Sequence, residues 1–292
     1  MTSQKADRHS IKKVYSSTTE FLKNQPILFL PFIIFAVFET IVFILIYSAP
    51  RFPINKILGP PIRAFWGERF LHYPTNFLLL PKLDSFSRMA LAVALGSLLT
   101  AMAIGIIFDI YNKKQINLGR SFKAALKDYI PLFIIVFIVT ALLYFSVKII
   151  TKGLVHYFIT SGRQFLFLRS KIWIDLILFC IDFLIALIIQ SAFIYAIPVL
   201  IIEKENLFKS IGKSFILFKR LFIPTVILIG LPMLIYIPII ILNNNTVLLI
   251  NKFFPEVIVG VVFLGILISS LVIDPLVTVS TALLYLENKT KG

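Results

Sequence analysis

Apolar and polar positions alternate along this chain on two length scales. On the longer scale, six mostly apolar stretches are separated by segments that carry most of the charge. They are Pro26–Ser48, Arg88–Tyr111, Tyr129–Ile150, Ile172–Ile201, Leu221–Leu242 and Val257–Tyr285. Each reaches the ~20 residues a helix needs to cross the hydrocarbon core of a bilayer. On the shorter scale, three polar segments repeat a helical spacing. In Asn206–Phe222, Leu207, Ile211, Phe215, Phe218 and Phe222 share one helical face, and Lys209, Lys213 and Arg220 fall on the other. In Asn117–Phe133, Leu118, Phe122, Leu126, Tyr129 and Phe133 occupy the matching apolar positions. Arg120 there stands for Lys209 and Ser121 for Ser210. Ser10–Lys23 is a weaker third copy, with Ile11, Tyr15 and Leu22 apolar and Lys13 in the Lys209 position. The pattern predicts a single-domain, all-α, polytopic membrane helix bundle. Its six transmembrane helices form a pseudo-threefold repeat, in which an amphipathic interfacial helix precedes each pair of spans.

Composition makes the solvent lipid. The chain has 292 residues, 59% of them hydrophobic and only 15% charged, against about 45–50% and about 25% in soluble proteins. The formal net charge of +15 would suggest nucleic acid in a soluble protein. Here Lys and Arg lie between apolar runs, so anionic lipid headgroups are the expected partners, followed by other membrane proteins. Candidate headgroup contacts are Lys12, Lys13, Arg120, Lys123, Lys127, Lys209, Lys213, Lys219 and Arg220. Basic residues are richer in the N-terminal tail, after the second and fourth spans and in the C-terminal tail. The positive-inside rule then puts both termini in the cytoplasm. The polar N-terminal segment does not read as a cleavable signal. The single Cys180 is expected to be a buried packing residue.

Details within the runs give further expectations. Pro198 and Pro275 predict kinks. The small residues Ala90, Ala94, Ser97, Ala101 and Gly105 predict a central helix that neighbours approach closely. The long connection Ala49–Ser87 breaks helices with Pro and Gly, yet it is rich in Phe, Leu and Trp. It is expected to fold back onto the outer membrane surface, with Trp66 and Tyr73 at headgroup level. Val155–Lys171 reads as a second surface segment.

Ionisable residues within spans are costly unless paired or wetted, so they mark candidate chemistry. Glu39, Asp182 and Asp274, with Gln190, form the candidate intramembrane polar site. They suit a proton or cation pathway or a polar-solute pocket, or else hydrogen bonding between helices. No catalytic, cofactor or metal motif is found. His9, His72 and His156 are far apart, no Gly-x-Ser-x-Gly elbow occurs, and Gly212-Lys213-Ser214 lacks the first Gly of a P-loop.

The run YAIPVLIIEKENLFKSIGKSFILFKRLFIP, with RSFKAALKDYIPLF and the closing TALLYLENK, resembles the six-span bacterial proteins grouped with the glycerophosphoryl diester phosphodiesterase membrane domain. Ile201, Ile202 and Glu203, then Ser210 to Ser214, then Leu284, Tyr285 and Glu287 carry the resemblance. It implies a six-span protein of the bacterial cytoplasmic (inner) membrane. The family's phosphodiesterase activity belongs to a separate soluble barrel with a His-Arg-Gly motif that is not found here, so the resemblance implies no enzyme. The long first connection departs from the family. The function expected is non-enzymatic interaction with lipid or membrane proteins. A transporter or channel component using Glu39, Asp182 and Asp274 is the alternative, and a membrane-embedded lipid enzyme is third.

Overall fold

The computed structural model describes residues 2–160 and 171–290, with side chains from Lys12 onward except at 151–152, 154–160 and 171–176. Among the described residues there is no strand. The helices are α1 (Thr2–Asn24), α2 (Leu30–Tyr47), α3 (Asn55–Trp66), α4 (Asn76–Leu91), α5 (Ser97–Tyr111), α6 (Leu118–Lys127), α7 (Tyr129–Thr160) and α8 (Lys171–Phe193). They continue as α9 (Ala196–Glu203), α10 (Leu207–Arg220), α11 (Phe222–Ile235), α12 (Ile237–Asn244), α13 (Thr246–Lys252), α14 (Val257–Ile268) and α15 (Asp274–Lys289). Five helical stretches are long and apolar enough to cross a membrane: Pro26–Tyr47, Asn76–Tyr111, Tyr129–Ile150, Ile177–Glu203 and Val257–Lys289. The remaining expected span, Leu221–Leu242, is built from two shorter helices, α11 and α12. They meet at Tyr236, just before Pro238. The chain is therefore an all-α polytopic bundle.

The second span begins earlier than its hydropathy suggests. Asn76–Ser87 belongs to a helix that runs on through α5, not to the surface connection. Apolar Phe77 and Leu80 are buried in one cluster and Leu79 in another, and Pro81 sits inside the helix without ending it. What remains of the connection is α3 and the short turn Glu68–Leu71, packed through Ala49, Ile62, Leu71 and Leu79. Tyr73 there is exposed and Trp66 half-buried. The α4–α5 helix is the most enclosed of the spans. Ser97 and Ala101 of the small-residue series are buried, whereas Ala90 and Ala94 are exposed. Val155–Thr160 continues α7, and 161–170 lie outside the described residues. The side chains of His9, Ile11 and His156 also lie outside them. Cys180 is exposed on α8, contrary to the expected packing role. An outward thiol costs little where the surroundings are lipid.

The two clearer surface helices share their first turn. Lys113 and Lys204 take the left-handed conformation, with φ of 54° and 55°, shortly before them. Asn117 and Asn206 then cap α6 and α10. Each side chain accepts from a backbone N–H three residues on, that of Arg120 at 2.9 Å and that of Lys209 at 3.1 Å. Ser121 and Ser210 are buried at equivalent places. A Cβ on Gly105 would lie 3.4 Å from Ser121 Cβ, so glycine lets α6 lie close on α5.

Further along, the one-for-one match fails. Tyr129 and Phe133 already belong to α7, whereas Phe218 is still in α10. Two prolines set the ends. Pro131 follows the last residue of α6, Lys127, by four positions, and Pro224 follows the last residue of α10, Arg220, by four. A proline lacks the N–H that would bond the carbonyl four residues back, and its ring crowds that carbonyl. Each surface helix must stop there, and α10 turns by 95° into α11. The faces are also sorted differently from the apolar stripe. Ser121, Ala125, Ser210 and Ser214 are buried, while Phe122, Leu126, Phe215 and Ile216 are exposed on the lipid-facing side.

Candidate functional site: a charged cluster between adjoining cavities

Three interruptions in the helices present the site. A π-helical turn at Ala92–Gly96 follows Arg88 by one helical turn. A second, Ser269–Ile273, carries Ser270 and ends at Asp274, with Pro275 next. Pro275 cannot donate to the carbonyl of Leu271, so the helix widens here rather than running straight. Tyr236 stands at the break between α11 and α12. A wider turn shifts the face that follows it, and so turns polar groups inward from helices otherwise apolar all round.

These interruptions bring one cation and its partners together. Arg88 Nε donates to Glu39 Oε1 at 2.8 Å, and its Nη1 donates to the Tyr236 hydroxyl at 2.8 Å. Ser270 Oγ donates to the other oxygen of Glu39. The Glu39 side chain is 1% exposed and that of Arg88 18%. A single buried charge would cost several kcal/mol. Here both oxygens of Glu39 and two nitrogens of Arg88 are satisfied, so the pair is a stable low-dielectric unit.

Two more carboxylates flank it without direct partners. Among the described residues, neither Asp84 nor Asp274 accepts a side-chain hydrogen bond or stands in an ion pair. Both border cavities. Asp274 and Gln190 line a cavity of about 310 Å³ with Ser97, Thr100, Thr278 and Thr281. The same two residues, with Glu39 and Arg88, line a cavity of about 620 Å³. Arg88 in turn borders a third, of about 890 Å³, with Asp84 and Tyr236. Asp274 and Gln190 are common to the first two cavities and Arg88 to the last two, so the cavities adjoin, with Arg88 at the boundary between the one that Asp274 lines and the one that Asp84 lines. A bare carboxylate at membrane depth is costly, and its low-cost states are the protonated acid and the cation-bound anion.

Of the expected site residues, Glu39, Gln190 and Asp274 come together. Asp182 does not: it is not free, and it borders none of the three cavities. It lies two turns of α8 before Gln190, about 12 Å along the helix axis, and so drops out of the cluster. Asp84, Arg88, Tyr236 and Ser270 join instead. The signal for Asp84 and Arg88 was their spacing of four, which puts both on one face of a helix.

At the other end of the bundle, near α1, α6 and α10, the basic residues divide into two groups. Lys213 Nζ lies 2.5 Å from Glu203 and 2.9 Å from Glu205, while Tyr285 donates its hydroxyl proton to Glu203. Lys209 pairs with Glu205 at 3.8 Å and Arg120 with Asp109 at 2.7 Å. Glu203, Lys213 and Tyr285 thereby tie the ends of α9, α10 and α15. The Lys213 hydrogen bond holds the carboxyl of Glu205 below its ordinary value. Lys12, Lys13, Lys123, Lys127, Lys219 and Arg220 are exposed and stand in no ion pair among the described residues.

Elsewhere, Glu68 lies 2.5 Å from Arg63 and 3.8 Å from His72 on the exposed surface. No group of His, Cys, Asp and Glu among the described residues could hold a metal ion. Compared with family models, with curated proteins and with solved structures, the chain matches none.

Proposed function

We propose that this chain is a non-enzymatic, multi-pass protein of the bacterial cytoplasmic membrane, with both termini in the cytoplasm, that carries a small polar or cationic solute through its bundle. The observation behind this reading is the set of adjoining cavities, with Arg88 at the boundary between the one that Asp274 lines and the one that Asp84 lines. Asp274 acts as the exchange site, taking either a proton or a cation. Gln190 and the hydroxyls of Thr100 and Thr278 offer neutral hydrogen-bonding partners beside it. Glu39 and Arg88 neutralise each other and hold the bundle open around the site.

Contact with anionic lipid is a second role, favoured by the six unpaired basic residues beside outward Phe and Leu side chains. The test of transport is flux into proteoliposomes loaded with a pH-sensitive dye. Asp274→Asn should fold, bind detergent and elute as the wild type does, yet lose proton-linked flux. Undiminished flux in that variant would sink the reading.

A further inference from the structure

The largest of these three cavities opens between α4, α12 and α13, at the end of the bundle opposite α1, α6 and α10. Its polar groups differ in depth: the donors Lys82, Ser85 and Asn244 are exposed at the rim, and the carboxylate of Asp84 is buried. Asp84 is 8% exposed and its carboxylate has no hydrogen-bond donor among the described residues. Asn243 of α12 also borders the cavity, and its Oδ1 is buried with no donor. The guanidinium of Arg88 is already committed to Glu39 and Tyr236. Lys82, the other cation on the rim, is exposed. The Asp84 carboxylate therefore faces a cavity of about 890 Å³ without a donor, whereas Asn243 Oδ1 is closed off behind the wall. Buried acceptors left unsatisfied cost free energy that a donor-bearing ligand would recover. The walls include the aromatic rings of Trp66, Phe70 and Phe86, whose faces attract cations and pack on hydrocarbon.

An anion would meet the buried Asp84 carboxylate, with the unpaired cation of the lining, Lys82, out on the rim. A hard metal ion would ask for six or more oxygens. What fits is a positively charged N–H group on a short carbon chain. We infer that this vestibule is a recognition site for a small organic cation of the amine or guanidine class, its charged N–H groups donating to Asp84 and its chain lying on the aromatic walls. The inference rests on the transport reading for its purpose, and it supplies that reading's substrate class. The cation exchanges Asp84 for Asp274 on passing the Glu39–Arg88 pair. The cavity has ample room for a ligand of this size.

The test uses the purified full-length protein carrying Trp173→Phe, so that Trp66 in the cavity wall is the only tryptophan. Its fluorescence is titrated with butane-1,4-diamine, with butane-1,4-diol as the uncharged control and magnesium chloride as the inorganic cation. The diamine should give a saturable change and the diol none. Asp84→Asn should weaken diamine binding by on the order of tenfold or more, as expected for removing one partner of a buried charge pair. Asn243→Asp, which adds a second carboxylate, should tighten it and keeps the test decisive if the first variant misfolds. Equal binding of the diol, displacement of the diamine by magnesium, or an Asp84→Asn protein that binds as the wild type does overturns the inference. Diamine flux in proteoliposomes separates the two claims. Binding without wild-type flux leaves the vestibule site standing and refutes transport. Flux that ignores Asp84→Asn refutes the vestibule site alone.

Discussion

Breaking the Glu39–Arg88 pair from one side should cost far more than removing it altogether. Glu39→Gln keeps the shape of the side chain and an oxygen for Ser270, but it removes the charge 2.8 Å from Arg88 Nε. Arg88 is then left with the Tyr236 hydroxyl as its only side-chain partner, in a place where its side chain is 18% exposed. Removing one partner of a buried pair costs about 3–5 kcal/mol, and the limited exposure of Arg88 points to ~3 kcal/mol for this variant. Arg88→Met leaves Glu39, 1% exposed, with Ser270 alone, and should cost nearer ~5 kcal/mol. In the double variant neither charge needs desolvation, and the loss should fall to ~1 kcal/mol or less. The coupling energy is then ~7 kcal/mol or more, well beyond the ~0.5 kcal/mol within which independent sites add. Reversible unfolding from mixed micelles by added SDS, followed by far-UV circular dichroism, measures all four corners of the cycle. Additivity within ~0.5 kcal/mol would refute the claim that these two residues form one buried unit.

Other expectations follow from single contacts. A Cβ at position 265 would lie 3.0 Å from Ile239 Cγ2 and 3.1 Å from the Tyr236 hydroxyl. Gly265→Ala should therefore push Tyr236 off Arg88 at a cost of about 1–3 kcal/mol, and impair flux more than Gly260→Ala, whose Cβ meets nothing. The carboxyl of Glu205 binds its proton more weakly in the folded protein than its ordinary value of 4.5 implies, because Lys213 is hydrogen-bonded to it. Its contribution is thus complete above that value and is lost as the pH falls through the lower folded value. Hydrogen exchange in the first turn of α10, corrected for intrinsic rates, should accelerate over that acid range, and Lys213→Met should flatten the response. For topology, single cysteines at Lys56 and Gln115 in a Cys180→Ala background should label from opposite sides of the membrane. Labelling of both from one side would overturn the span order.

Much of the fold was legible because the solvent writes it into the chain. Apolar runs of bilayer length gave five spans directly, and Asn117 and Asn206 marked where the surface helices begin. The stretch Leu221–Leu242 was legible as apolar, but its division into α11 and α12 at Tyr236, before Pro238, is not visible in a hydropathy window. Asp84 and Arg88 were obscured for a related reason. Pro81, Lys82 and Ser85 make α4 look like loop, so Arg88 read as a flanking charge at the edge of a span. In fact the apolar face of Phe77 and Leu80 carries the helix through. Glu39 and Asp274 were visible as lone charges in apolar runs, but nothing in one chain's order says which lone charges meet. Asp182 had the same signal and lies apart from them.

The two prolines that end the surface helices make a joint that is indifferent to what precedes it. Asn117 to Pro131 spans 14 positions and Asn206 to Pro224 spans 18, a difference of about one helical turn. Both helices nevertheless begin with the same cap and end at the same distance before their proline. Length at the membrane surface can thus be added or removed in whole turns, since the rule that halts the helix is counted backward from the proline and not forward from the cap. Such a joint lets the two surface helices differ in reach, and in whatever each meets, without resetting the spans that follow.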